Sequence, residues 1–271
     1  MKVAFWSNGR GRSCVTSNLA CMSVLSVLNR PDERAIIFEN HRNIINLGST
    51  LLNTYSNNEI KENSEYHIES GLDKVLRLVE SGTEMTEERL HGLSKEFLGQ
   101  RLLYLPTDEK SAESLEYYLE REAVRAMSYM EQHSSVVFVD TTAAPLASSR
   151  MILQQTDFVV VNLSQNLQML DHFFRNFKSI QEKAFYLIGN YDIHSQLTRD
   201  VIQKRYHISQ ERIGVIPHNA NFSDAISNGS LIPFLISHYS CKKNDENYEF
   251  IRYAREAQDM FRFLTHEKER K

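Results

Sequence analysis

The sequence predicts an α/β fold, a mostly parallel central sheet with helices on both faces. Three observations predict it. Short apolar runs alternate with longer segments of helical period along the chain, the order that successive strand–helix–strand units produce. Several runs are apolar at every position rather than at alternate ones, which requires strands covered on both faces. A turn containing Gly9 and Gly11 joins the first run directly to the first helical segment.

In chain order the predicted strands are Val3 to Trp6, Ala35 to Phe38, Leu102 to Leu105, Val136 to Val139, Phe158 to Val161, Phe185 to Ile188 and Arg212 to Ile216. The predicted helices are Ser13 to Leu28, Gly71 to Ser81, Ser111 to Gln132, Leu167 to Glu182, Leu197 to Tyr206 and Tyr248 to Thr265. Asn46 to Ile68 is polar and rich in Asn, Ser and Glu, so it reads as a long or mobile loop. Neither an internal repeat nor a Pro-rich or Gly/Ser-rich linker divides the 271 residues, and residues 1–271 read as one domain.

With 41% hydrophobic and 24% charged residues the chain can bury a large core. A net charge of -4 gives no electrostatic footprint for nucleic acid, so specific nucleic-acid binding is not expected, although a local basic patch stays open. Cys14, Cys21 and Cys241 lack metal-ligand spacing and are odd in number, and they read as reduced thiols of a cytoplasmic protein. Met1 to Ser7 lacks the charged segment and long apolar run of a secretory signal, and no apolar stretch is long enough to span a bilayer.

The stretch Trp6-Ser7-Asn8-Gly9-Arg10-Gly11-Arg12-Ser13-Cys14 carries the most chemistry. Small residues there let the backbone bend so that successive N–H groups point inward, and the following helix N-terminus adds partial positive charge, which favours a phosphate. Asn8, Gly9, Arg10, Gly11, Arg12, Ser13 and Cys14 are therefore the candidate phosphate-binding residues. The usual pattern is G-x-x-x-x-G-K-[ST]. Trp6 replaces its leading Gly and Arg12 its Lys, so by itself the stretch also reads as a tight strand-to-helix turn.

Gly11 to Ala20 resembles the G-K-T-T-x-x-x-N-L-A run of the MinD/ParA family of P-loop ATPases, with Ser7 at the place of that family's signature lysine. The resemblance continues in register. Phe38 to His41, ending at Asn46-Leu47, is similar to the D-x-D...N-L switch segment, and Val136 to Ala144 to the Walker B strand and second switch. Thr156 to Val161 looks like the A-D-x-V-x-V strand, and Ile188-Gly189-Asn190 like the strand whose closing Asn reads adenine. Gly214 to Pro217, with Phe222 to Gly229, resembles the G-x-I-P...A-x-x-x-G segment beside the base.

The resemblance implies a P-loop fold that binds ATP or ADP with Mg²⁺. It makes Ser13 and, through water, Asp140 the metal ligands, and Asn190 and Pro217 the base contacts. Read alone, Asp140 is also a strand-end turn cap and Asn190 an ordinary turn residue. It further implies a nucleotide-dependent homodimer and protein partners in a localised assembly.

Three positions depart from an active ATPase of this kind. Ser7 carries no charge where the signature lysine reaches a partner subunit's phosphates. Arg12 keeps a positive charge but as a planar fork rather than a compact ammonium. His41 stands where the catalytic Asp orients the attacking water, so it is the candidate catalytic residue at a degenerate position, and binding is expected to outlast hydrolysis. Ala4 to Asn8 and Thr16 to Leu19 also look like the TadZ-like localisation proteins found beside Tad-type pilus machinery.

At the C-terminus, Phe250, Ile251, Ala254, Ala257, Met260, Phe261 and Leu264 form one helical face. It reads as a helix packed on the sheet, or as an amphipathic helix giving peripheral contact with the inner face of the membrane. Glu267 and Glu269 among Lys268, Arg270 and Lys271 weaken the second reading. Three functions follow as expectations: a dimerising nucleotide switch that positions an assembly, an active ATPase that partitions DNA, and a nucleotide-free scaffold.

Overall fold

The computed structural model describes residues 1–9, 11, 13–53, 71–107 and 112–269. It contains an eight-stranded sheet of order β3-β4-β2-β5-β1-β6-β7-β8. The strands are β1 (Lys2–Trp6), β2 (Ala35–Glu39), β3 (Lys95–Phe97), β4 (Leu102–Leu105), β5 (Val136–Asp140), β6 (Phe158–Leu163), β7 (Ala184–Tyr191) and β8 (Ile213–Pro217). All pair in parallel except β3, which runs antiparallel to β4.

The all-apolar runs are the buried strands. β2, β4, β5 and β6 are buried at every residue, because helices cover both faces. On one face α1 (Val15–Asn29) and α12 (Tyr248–Glu269) pack with α10 (Ala220–Ser227) and α11 (Leu231–His238) around Phe5, Phe138, Phe158 and Phe185. On the other lie α3 (Leu72–Glu80), α5 (Ala112–Gln132) and α6 (Ala147–Gln155) against Phe38, Val137 and Val139, with α7 (Leu167–Asn176) and α9 (Arg199–Tyr206) over the β6–β8 side.

The apolar face of α12 is consumed by this packing. Phe250, Ile251, Ala254, Ala257, Phe261 and Leu264 are buried, and the Phe261 ring meets Phe158 and Phe185 edge-on at 6.0 and 5.3 Å. The face read as a membrane contact is therefore occupied by the sheet. Among the described residues no helix is long and apolar enough to cross a membrane.

Several boundaries differ from the sequence reading. The predicted helix Leu167 to Glu182 is two helices, α7 and α8 (Lys178–Gln181). Phe177 leaves the helical region at φ -117, ψ 48, and its ring stacks on Phe173 and reaches Trp6. Burying that ring against Trp6 outweighs continuing one helix. Arg212 belongs to a 3₁₀ turn, Gln210–Arg212, rather than to β8. The polar stretch from Asn46 opens with α2 (Leu47–Leu51), held by a capping box between Asn46 and Ser49, while residues 54–70 of it lie outside the described residues. α4 (Glu87–Leu93) and β3 were not predicted, being short and largely polar.

Candidate functional site

In this sheet β1 is the switch point, with β5 and β2 on one side and β6, β7 and β8 on the other. Ligands of open α/β sheets sit beyond the carboxyl ends of the strands at such a point. The loop after β1 lies there, beside the ends of β2 and β5. Together they form a cleft of about 700 Å³, lined among others by Ser7, Gly9, Gly11, Ser13, Cys14 and Thr16 from the loop and first helical turn, by His41 and Ile44 after β2, and by Asp140 and Thr142 from β5 and its turn.

The loop is fastened at both ends. Ser7 is buried and its hydroxyl donates to the Gly9 carbonyl at 2.5 Å, closing a tight turn. Asn8 points away from the cleft, donating through Nδ2 to the Met169 carbonyl at 2.9 Å and lying 3.1 Å from His172 Nδ1 on α7. Downstream, Cys14 takes a left-handed conformation, φ 52, and α1 starts at Val15, two residues later than the sequence suggested. Asn18 donates to the Ser13 carbonyl and to Asn162 of β6, anchoring the end of the loop to the sheet.

Two side chains converge on Asp140, which is 1% exposed. Its Oδ2 accepts a hydrogen bond from Thr16 Oγ1 at 2.6 Å and lies 3.2 Å from His41 Nε2. Ser13 lines the same cleft, but the hydroxyl on Asp140 belongs to Thr16, in the first turn of α1. Burial alone would lower the pKa of His41. The Asp140 hydrogen bond, with the charges of Asp140 and Glu39, outweighs it and raises the value above that of an ordinary histidine.

A second carboxyl lies behind the first. Glu39, the last residue of β2, accepts from the Leu47 N–H at 2.8 Å and from the Tyr104 hydroxyl at 2.7 Å. Burial pushes its pKa up to about 7, against the lowering effect of those two bonds. Asn40 then ties the two strand ends together. Its N–H donates to the Asp140 carbonyl at 3.0 Å, its Oδ1 accepts from Thr142 N–H at 2.9 Å, and its Nδ2 reaches Ser149 on α6.

The structure thus brings Gly9, Gly11, Ser13, Cys14, His41 and Asp140 into one cleft. Asn8, Asn190 and Pro217 are not among its lining residues. Asn190 ends β7 and Pro217 ends β8, on the same edge of the sheet. Arg10 and Arg12 lie outside the described residues. Sequence reasoning missed Thr16, Glu39 and Asn40. Thr16 was legible as a second hydroxyl just past Ser13, at the start of the helix that the loop opens. The donors at hand, a buried carboxylate and the Ser13 and Thr16 hydroxyls, are hard oxygens of the kind Mg²⁺ prefers when phosphates complete its shell.

No protein-family profile and no curated protein matches the sequence. Solved structures do match. The chain aligns over 95% of its length with 96% of a ParA family ATPase from Chlorobium tepidum TLS, at a TM-score of 0.68 and 14% identity. It aligns over 98% with 98% of the septum site-determining protein MinD complexed with Mg-ADP from Pyrococcus horikoshii OT3, at 0.68 and 12%. It aligns over 96% with 97% of a putative plasmid partition protein from Borrelia burgdorferi B31 bound to AMPPNP, at 0.60 and 11%. At these identities the likeness is one of fold, and it covers nearly the whole chain: the chain has the P-loop fold of the MinD and ParA ATPases.

Proposed function

We propose that this chain is a cytoplasmic, nucleotide-dependent switch that pairs with a second copy of itself and positions a larger cellular assembly, with ATP turned over slowly or not at all. Tad-type pilus or secretion machinery is the assembly its sequence suggests. The observation that carries the reading is the Asp140 cluster at the mouth of the phosphate-loop cleft. His41, at the position expected to orient water, is buried and held on Asp140 instead. A phosphoryl transfer that relies on positioning loses its positioning group there, while Gly9, Gly11 and Ser13 still line the cleft.

ATP or ADP would lie along the loop from Gly9 to Cys14 with its base toward Asn190 and Pro217. Mg²⁺ would be held by Ser13 and, through water, by Asp140, and would neutralise phosphate charge. Pairing is supported by Ile44 and Ile45, which line the cleft yet are 96% and 64% exposed. A second copy laid over the cleft would cover them and reach the phosphates with Arg10.

Calorimetric titration with ATP and Mg²⁺, run beside a sizing column with and without nucleotide, tests both halves. Heat of binding together with a shift to the dimer is the expected result. Binding without a size change removes the pairing, and no heat at all removes the nucleotide. An Arg10→Ala variant that dimerises as readily as the parent removes Arg10 from the mechanism.

A further inference from the structure

The wall of the cleft holds a guanidinium besides the groups that meet at Asp140. Arg42 lies there, just after β2, and among the described lining residues it is the one lysine or arginine. Its backbone is held on both sides. Asn40 ties the end of β2 to β5, His41 stands on Asp140, and the Asn43 N–H reaches back to His41 Nδ1 at 3.4 Å.

The side chain is poorly satisfied where it stands. Only 16% of it is exposed, yet Nε is buried without a hydrogen-bond partner among the described residues. Nη2 lies 3.5 Å from Asp73 Oδ1, well beyond the roughly 2.7–2.9 Å of a strong charge-assisted bond. A buried guanidinium with so little to bond is costly unless an anion completes its fork of donors. Asp73 keeps support without that contact, because it stands in the first turn of α3, where the helix N-terminus favours a carboxylate.

Position in the sheet says which anion. The order runs β2-β5-β1-β6-β7-β8, so the end of β2 and the ends of β7 and β8, at Asn190 and Pro217, lie on opposite sides of β1. A nucleotide laid along the loop after β1, with its base toward β7 and β8, carries its last phosphate toward β2 and Arg42.

Resting on that nucleotide reading, we infer that Arg42 is a specificity-determining residue for the terminal phosphate: its guanidinium leaves Asp73 and clamps the γ-phosphate of a nucleoside triphosphate bound to its own subunit. The planar fork matches two phosphate oxygens at once. It supplies from within one chain the positive charge that Ser7 lacks, and ADP offers it no group to hold.

Calorimetric titration of the full chain with Mg²⁺-ATP and Mg²⁺-ADP tests this. The parent should bind ATP at least about tenfold more tightly than ADP, the worth of hydrogen bonds to a charged group. In Arg42→Gln that preference should vanish while the affinity for ADP holds. Asp73→Asn, which releases the guanidinium, should tighten ATP binding in the parent but not beside Arg42→Gln. The preference should also persist below the protein concentration at which copies pair. Equal affinities in the parent, a preference that Arg42→Gln retains, or a loss shared equally by ATP and ADP overturns the inference and leaves nucleotide binding intact. So does an Asp73→Asn protein that gains nothing for ATP, or a preference that disappears on dilution. A parent that binds neither nucleotide overturns the nucleotide reading itself.

Discussion

Thr16 Oγ1 donates to Asp140 Oδ2 at 2.6 Å across the mouth of the cleft, joining the first turn of α1 to the end of β5. Asp140 is buried and Thr16 half-buried, so the bond is made to a carboxylate poorly reached by water. Hydrogen bonds to charged groups contribute about 1.5–3 kcal/mol. Thr16→Val, which keeps shape and removes the donor, should therefore lower stability by about 1–2 kcal/mol. Urea unfolding of the two proteins measures it, and equal midpoints would show that the bond is exchanged freely for water.

Turnover should be governed by His41 and Ser7. The parent should release phosphate far below the roughly 1–100 per second typical of kinases. A His41→Asp, Ser7→Lys double variant should be faster, because it restores a water-orienting carboxylate and a cation at the phosphates. A parent with ordinary kinase-like rates contradicts the expectation.

The buried acids and bases behind the cleft make stability depend on pH, and the sign follows from their directions. Burial raises Glu39 to about 7, and the Asp140 bond outweighs burial to raise His41. Both groups hold protons more tightly folded than unfolded, so their contribution is complete below their unfolded values and is lost as pH rises through the folded ones. The urea midpoint should fall between about pH 5 and pH 8, first through Glu39 and then through His41. Glu39→Gln should flatten the lower part of that slope. A midpoint that climbs over the same range would reverse the assignment.

Seating of the last helix depends on Gly214 of β8, where an added Cβ would stand 2.6 Å from the Cβ of Ala257 and 3.0 Å from its Cα. Gly214→Val should lift α12 from the sheet and cost about 1–3 kcal/mol, the usual range for overpacking. Thermal denaturation followed by circular dichroism reads the loss, and an unchanged melting temperature would show that α12 can slide to make room.

The sequence made the sheet legible because parallel strands buried on both faces leave uninterrupted apolar runs, as at Val136 to Val139 and Phe158 to Val161. Helix ends were less legible. Cys14 delays α1 through a left-handed backbone, and Phe177 breaks a helix to reach Trp6, and neither choice is written in periodicity. At the site, the convergence of the loop, His41 and Asp140 followed from strand order. The exchange of partners, with Thr16 and His41 sharing one carboxylate oxygen, did not, because it depends on the register between α1 and the sheet rather than on residue type.

β3 closes one side of the sheet with only three residues, Lys95–Phe97, and turns Lys95 and Glu96 outward. Behind it run β4, apolar throughout, and β2, apolar up to Glu39, both able to template pairing with another chain if their backbone were bare. A short, charged, antiparallel edge offers an incoming strand little to bond to and places both charge signs in its way. Colloidal behaviour at high concentration is thus guarded by two surface charges far from the cleft, and neutralising them would favour aggregation without touching the chemistry of the site.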